Sequence, residues 1–330
     1  MESTHKIKGS EIDLKKRLRG CLLGTAIGDA LGAPFEHLGP GQKNQTIERM
    51  GGSIVDFASY QNYPAGTWTD DTGLTLATCR ALIAFTESGQ GLEDCLRREF
   101  FRWAGSDECR RAGRTVLYAA TYGKTDQTSW ANGALMRIAP VGFYCYMSGY
   151  DERKSAQLAL TASRITHGHP LAVLPAVECV LAIRSMLRGD ETVPSDLSYP
   201  GKYLPPHLAD KKGNKEYVEK RHGDHYGVHP STGLWMWRQV FEECLGMGEG
   251  RRWAEMPGFE KGLVGTLDNS FDKDTAGAVA GALLGAYWGE EAIPWRWKKG
   301  LEKRGRILDL ADRFFEALNR STESTLRQVV

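Results

Sequence analysis

Two short stretches of this chain set paired acids beside threonine at the start of an apolar run. The first is Thr69-Asp70-Asp71-Thr72, followed by Gly73, Leu74, Leu76, Ala77, Ala81 and Leu82; the second is Asp272-Lys273-Asp274-Thr275, followed by the run from Val279 to Tyr287. Asp and Thr at a helix start are ordinary caps, because their oxygens accept the free N–H groups of the first turn. A second chemistry opens if the two stretches, about two hundred residues apart, meet in space. Asp70, Asp71, Asp272 and Asp274 would then crowd four carboxylates into one place, where they repel one another unless cations balance them. The donors on offer are carboxylate and hydroxyl oxygens, with no cysteine or histidine in either motif, which suits Mg2+ or Mn2+ rather than zinc. Two such ions can polarise a substrate oxygen and activate a water from opposite sides.

Whether the motifs meet depends on the helices that carry them. A helix over 13–33 has a glycine at every fourth position, Gly20, Gly24, Gly28 and Gly32, and the same stripe returns after the second acid pair at Gly277, Gly281, Gly285 and Gly289. Glycine costs on the order of 1 kcal/mol per helix position relative to alanine, so four on one stripe need an offsetting gain. Close approach of a neighbouring helix supplies it. A membrane dimer stripe is the competing explanation, but Arg17, Arg19 and Asp29 flank or interrupt the stretch and Pro34 ends it. The two stripes therefore predict a tightly packed pair that brings both ends of the chain into one domain.

Around this pair the periodicity predicts helices at 72–87, 92–104, 113–122, 133–148, 152–165, 170–188, 233–246, 258–268, 275–289 and 304–319. A loop with a short turn at 46–50 fills the space after Glu36, and Ile293-Pro294 punctuates the C-terminal part. No period-two strand stands out, so the fold class is all-α. We expect a single-domain orthogonal helical bundle over residues 13–320, with a flexible N-terminus at 1–12, a long loop or lid at 189–232 and a flexible tail at 321–330. The 330 residues carry 42 Lys+Arg against 41 Asp+Glu, a formal charge of +1, which provides no field for nucleic acid or an anionic membrane. Seven scattered cysteines without a Cys-x-x-Cys pair point to a reducing compartment. With no signal-like N-terminus and no apolar run of spanning length, the expectation is a cytoplasmic protein.

Five motifs in one order then bear a resemblance. Gly28-Asp29-Ala30-Leu31-Gly32-Ala33-Pro34-x-Glu36, Thr69-Asp70-Asp71-Thr72, Asn132-Gly133-Ala134-Leu135-Met136-Arg137-Ile138-Ala139-Pro140, Ile165-Thr166-His167 and Asp272-x-Asp274-Thr275 resemble the ADP-ribosylglycohydrolase family. The likeness runs from about residue 14 to residue 300. It implies an all-α fold with two Mg2+ (or Mn2+) ions in a central cleft, held by Thr69, Asp70, Asp71, Asp272, Asp274 and Thr275. It further implies a hydrolase that removes ADP-ribose from a modified protein side chain, with ADP-ribosylarginine as the leading substrate. Glu36 matches the family's loop glutamate and, with Asp71, is the catalytic candidate; a loop acid after Pro34 is otherwise a solvated side chain. Asn132, Gly133, Ala134, Met136 and His167 match the phosphate side of the substrate site. Read on their own, they are a loop entering an apolar helix and a histidine after a helix, a place where capping or core roles are common.

The sequence also departs from that pattern. Lys273 stands between the second pair of acids, where a small residue is usual; it either points outward or displaces part of an ion's charge. Ala112-Gly113-Arg114-Thr115 is preceded by Arg111, where the arginine-specific branch carries an aspartate. These departures leave two alternatives: a hydrolase for another ADP-ribose linkage (serine, nucleobase or small molecule), or a non-catalytic ADP-ribose-binding relative. Arg137 is either a phosphate partner or half of an ion pair. His222, His225 and His229 have the spacing of a metal clip that no acid or cysteine completes. Tyr226, Trp235 and Trp237 are candidates to stack on adenine or to fill the core.

Overall fold

The computed structural model describes residues 11–36, 38–194, 232–248 and 250–329. The expectations for 1–10, most of the long loop, Tyr226 and the histidines at 222, 225 and 229 lie outside those residues. Thirteen α-helices make up the described chain: α1 (Glu11–Gly32), α2 (Pro40–Arg49), α3 (Asp70–Ser88), α4 (Leu92–Ala104), α5 (Arg114–Tyr122), α6 (Ala139–Met147), α7 (Glu152–Arg164), α8 (Pro170–Arg188), α9 (Gly233–Arg238), α10 (Phe259–Asn269), α11 (Lys273–Trp288), α12 (Trp295–Gly300) and α13 (Arg304–Val329). No strand forms among the described residues; four isolated bridges, among them Ala131 with Thr232, tie loops together. The all-α expectation holds.

The glycine stripes pair as the spacing predicts. α1 and α11 run antiparallel, with Gly20 against Gly285, Gly24 against Gly281, Gly28 against Gly277, and Gly32 against the peptide between Lys273 and Asp274. A methyl group on Gly20 would lie 2.5 Å from the Gly285 carbonyl oxygen, and the three following pairs are closer still. The contact is backbone on backbone, so α1 and α11 approach closer than side-chain packing allows. That register delivers the C-terminal end of α1 to the N-terminal end of α11, where the second acid motif begins. α3 and α13 pack on α1, and α10 packs on α11. Leu22, Ile27, Leu74, Leu82, Leu283 and Phe314 are fully or almost fully buried between them.

Several boundaries differ from the pattern reading. Residues 40–49 form a helix rather than a turn; α2 opens with Pro40 in its first turn, and its Lys43 ammonium donates to the Phe271 carbonyl at 2.6 Å, a contact that no local periodicity encodes. The expected helix 133–148 begins only at Ala139, after a 3-10 turn at Asn132–Ala134. α9 gives way to a π-helical stretch at Gln239–Cys244, α12 was not anticipated, and α13 continues past 319 to Val329. The expectation that no run reaches spanning length is corrected by α8, which is long and apolar enough to cross a membrane. Most of α8 is nevertheless buried within the bundle, packed on α6 and α7. All seven cysteines are free thiols.

Candidate functional site

The first acid motif sits at the start of α3, and neither aspartate caps it. Its N-cap is Thr69, whose side chain makes no capping bond. Asp29 of α1 does that work from across the interface. Its carboxylate accepts the Thr69 N–H at 2.9 and 3.0 Å, the Thr72 N–H at 3.0 Å, the Thr69 hydroxyl at 2.9 Å and the Thr72 hydroxyl at 2.6 Å. Burial raises the Asp29 carboxyl to about 6, while the bonds from Thr72 and Thr69 pull it down. Because Asp29 satisfies the helix end, Asp70 and Asp71 are left for other contacts. Asp70 Oδ2 accepts the Gly113 N–H at 3.1 Å, and Asp71 Oδ1 is buried without a hydrogen-bond partner.

The second motif opens α11, and its N-cap Asp272 also makes no capping bond. Asp272 Oδ2 instead accepts from the Asn132 amide at 2.9 Å, and Asp274 Oδ1 is buried without a hydrogen-bond partner. The capping reading of both motifs is thereby overturned. Lys273 turns away from the acids: its ammonium donates to the carbonyls of Leu267, Ser270 (2.9 Å) and Asp268 (3.3 Å). These are carbonyls that α10 leaves unsatisfied at its C-terminal end, so the lysine closes that helix.

Both motifs face one cleft of about 340 Å³, lined by Glu36, Asp70, Asp71, Asp272, Asp274 and Thr275. Arg111, Gly113, Arg114, Thr115, Ser129, Asn132, Gly133, Met136 and His167 line it too. Ala134 and Thr69 are buried but lie outside that lining. Burial comes first in raising the Glu36 and Asp71 carboxyls, followed by their neighbours: Asp274 for Glu36, reaching about 10, and Asp29 for Asp71. Asp70 rises to about 8 from burial, against the pull of the Gly113 N–H. Among the described residues, no three of these groups converge as a ready-made ligand shell. What the chain offers a divalent cation is an oxygen-only donor set, two buried carboxylate oxygens with no partner, and a repulsion that positive charge would relieve. These features fit Mg2+ or Mn2+.

Glu36 follows a 3-10 turn at Ala33–Phe35 and is held by a residue that the sequence reading cited only as a departure. Arg111 Nε lies 2.8 Å from Glu36 Oε2, its Nη1 donates to the Ala33 carbonyl at 2.8 Å, and its guanidinium sits 5.0 Å from the Tyr60 ring centre. Its backbone is left-handed, φ 55°, a conformation uncommon outside glycine. The loop acid is thus clamped by a cation.

A second part of the lining is built around His167. Gly133 has to be glycine, since a methyl there would sit 2.9 Å from His167 Cε1 and 2.8 Å from Val116. Arg137 Nη2 donates to the Thr166 hydroxyl at 2.8 Å, and that hydroxyl lies 2.8 Å from His167 Nδ1. An arginine can only donate, so the hydroxyl oxygen accepts from it, and its own proton has two acceptors within reach, His167 Nδ1 and the Ser163 carbonyl at 3.4 Å. His167 Nε2 is buried without a partner. Burial, then Arg137, lowers His167 to about 3, which keeps the ring neutral. Arg137 is therefore neither a phosphate partner nor half of an ion pair. It is fully buried, with its guanidinium 4.7 Å from the Phe100 ring centre. Trp237 is core as well, stacked on Phe241 at 4.5 Å.

Asp29 and Arg111 are the two residues whose work pattern reading missed. A lone carboxylate inside a buried glycine stripe was a usable signal for the first; nothing local marked the second.

A sequence model of the ADP-ribosylglycohydrolase family matches residues 10–323. The chain is 25% identical to the ADP-ribosyl-[dinitrogen reductase] glycohydrolase of Rhodospirillum rubrum, over 87% of this chain and 91% of that one. It is 24% identical to the ADP-ribosylarginine hydrolase Tri1 of Serratia proteamaculans, over 91% and 79%. A solved structure titled ADP-ribosylglycohydrolase-related protein complex superposes with a TM-score of 0.65 at 26% identity, covering 92% of this chain and 98% of that one.

Proposed function

We propose that this chain, which belongs to the ADP-ribosylglycohydrolase family, hydrolyses the bond between ADP-ribose and a modified protein side chain, arginine first among the acceptors. The observation that supports the reading most is the gathering of Glu36, Asp70, Asp71, Asp272, Asp274 and Thr275 in one cleft with Asn132, Gly133, Met136 and His167. Two Mg2+ (or Mn2+) ions, held by Asp70, Asp71, Asp272, Asp274 and Thr275 with Thr69 beside them, would balance the carboxylates and polarise the hydroxyls of the distal ribose. The chain's own groups supply the rest. Glu36, buried and clamped by Arg111, holds or gives the proton that the departing side chain and attacking water exchange. The Asn132–Ala134 turn offers backbone N–H groups to the pyrophosphate, and His167, its ring kept neutral by burial, adds an unpartnered Nε2 to the same cleft. Most of the acceleration then comes from positioning and charge stabilisation.

The test is release of ADP-ribose from an arginine-linked ADP-ribosylated protein, with Mg2+, with Mn2+ and with chelator. Metal-dependent release is expected. Tight ADP-ribose binding without release from any linkage, at any metal concentration, would replace the hydrolase by a binding protein. A second acceptor reading rests on Arg111 and Arg114. Both line the cleft beside Gly113, whose N–H meets Asp70, and two cations there repel a guanidinium leaving group more than a hydroxyl. Faster release from serine-linked than from arginine-linked substrate would select it.

A further inference from the structure

The cleft admits an ADP-ribosyl group, not the protein that bears it, so the carrier must rest on the rim next to the bond being cut. Resting on the function just proposed, that rim is the start of α5, because Gly113 reaches Asp70 and Arg114 is the next residue. Arg114 is exposed and lines the cleft. From it, α5 presents a stripe at intervals of four, Arg114, Tyr118 and Tyr122, with Tyr118 47% and Tyr122 66% exposed. Leu117, 38% exposed, adjoins it. α4 packs on α5, and the Arg97 guanidinium bonds the Gly123 carbonyl at 2.8 Å. Phe101, one turn further along α4 in this packed pair, is 63% exposed. Four of the eight large exposed apolar side chains among the described residues fall here, continuous with the cleft mouth. Exposed aromatic clusters of this kind mark binding surfaces more often than solvated ones, and Tyr is favoured there because it brings much contact area at low entropy.

We propose that the ridge of Arg114, Tyr118 and Tyr122, flanked by Leu117 and Phe101, docks the ADP-ribosylated protein, with the cation favouring a carrier segment that is acidic near the modified side chain. Tyr118, Tyr122, Leu117 and Phe101 serve affinity for the carrier and take no part in the chemistry.

The experiment compares one linkage, presented on the free amino acid and on a folded protein, in the wild-type chain, Tyr118→Ser/Tyr122→Ser and Phe101→Ser. Trp295→Ser serves as a control, since Trp295 is also 63% exposed but belongs to α12. The ridge variants are expected to lose roughly tenfold in kcat/KM on the protein, mainly through KM, and to keep the wild-type rate on the free conjugate. The control should change neither. Equal losses on both substrates, or no loss on the protein, would overturn the ridge and leave the hydrolase standing. A wild-type dimer that becomes monomeric in the ridge variants, with unchanged protein turnover, would overturn it in favour of a second copy of this chain. A wild-type chain inactive on both substrates in every linkage defeats the hydrolase reading itself, and the ridge with it.

Discussion

The two acid motifs look alike in sequence and are held in opposite ways. The first is fixed by a carboxylate: Asp29 reaches across from α1, satisfies the start of α3 and so leaves Asp70 and Asp71 uncommitted to capping. The second is fixed by the backbone and by cations behind it. Gly32 lets α1 close against the Lys273–Asp274 peptide, Lys273 anchors that turn to the end of α10, and Lys43 anchors Phe271 from α2. An acidic cluster can thus be built with one half on a rigid hydrogen-bonded post and the other on a close helix contact. Both devices originate in the same few residues of α1, which is why the two halves share one cleft.

The largest effect should come from breaking what the motifs share. Gly28→Leu forces a side chain into the Gly277 peptide, where backbone rather than a flexible neighbour would have to move. Overpacking of ordinary cores costs about 1–3 kcal/mol and here should exceed that. The expected outcome is loss of cooperative unfolding or a fall in Tm of more than about 10 °C. A near-native Tm would mean that α1 and α11 can separate without consequence. Asp29→Ala comes next and should separate the motifs: Thr69 and Thr72 lose their acceptor, stability falls by about 3 kcal/mol, and kcat falls about a hundredfold as Asp70 and Asp71 lose their placement. Asn132→Ala, which frees only Asp272, should cost about tenfold in kcat/KM with little change in Tm. Equal losses in the two variants would refute the asymmetry.

Those positions also show what a sequence discloses. The pairing of α1 with α11 was legible because eight spaced glycines have no other economical explanation in a helix interrupted by Asp29 and ended by Pro34, and the cleft acids were legible from type and spacing. Asp29 was visible as part of a motif, but its partners lie 40 or more residues away, and local patterns carry no such distance. Arg111 was harder still: its left-handed backbone and its hold on Glu36 are products of tertiary packing. α2 was read as loop because it carries little apolar surface and depends on Lys43 reaching Phe271. The acids of the motifs were weighed as caps because propensity speaks for one helix at a time, and here the capping acid came from another helix.

A third effect is smaller and concerns charge. Carboxyls raised by burial and by one another hold their protons in the native chain, while unfolded ones ionise near pH 4. Their stabilising contribution is therefore full below that value and is lost as pH rises through the folded values, about 8 for Asp70 and about 10 for Glu36. His167 has the opposite slope: lowered to about 3, it contributes above the unfolded value near 6.5 and loses that contribution as pH falls. Between pH 6.5 and about 7.5 the acids set the slope, because Lys273, lowered to about 8 by burial, opposes them only above that, so the Tm of chelated protein should decline across that range. Added Mg2+ should raise it, most at the alkaline end where protons no longer compete. A metal-free Tm that is flat or rising across the range would mean that the cluster is already ionised and balanced without a cation.

The smallest expected effect addresses Lys273, the departure that most threatened the second motif. Lys273→Met keeps the aliphatic stem, removes three bonds to carbonyls at the end of α10 and adds no group to the cleft. Stability should fall by about 1–2 kcal/mol, the scale of a lost helix-end interaction. kcat/KM and the half-saturating Mg2+ concentration should stay within about twofold of wild type, because the ammonium points to the far side of the helix start. A severalfold tighter hold on Mg2+ in the variant would place the ammonium in the field of the four acids. The second motif would then be held against its own lysine, and the contrast with Asp29 would have to be redrawn.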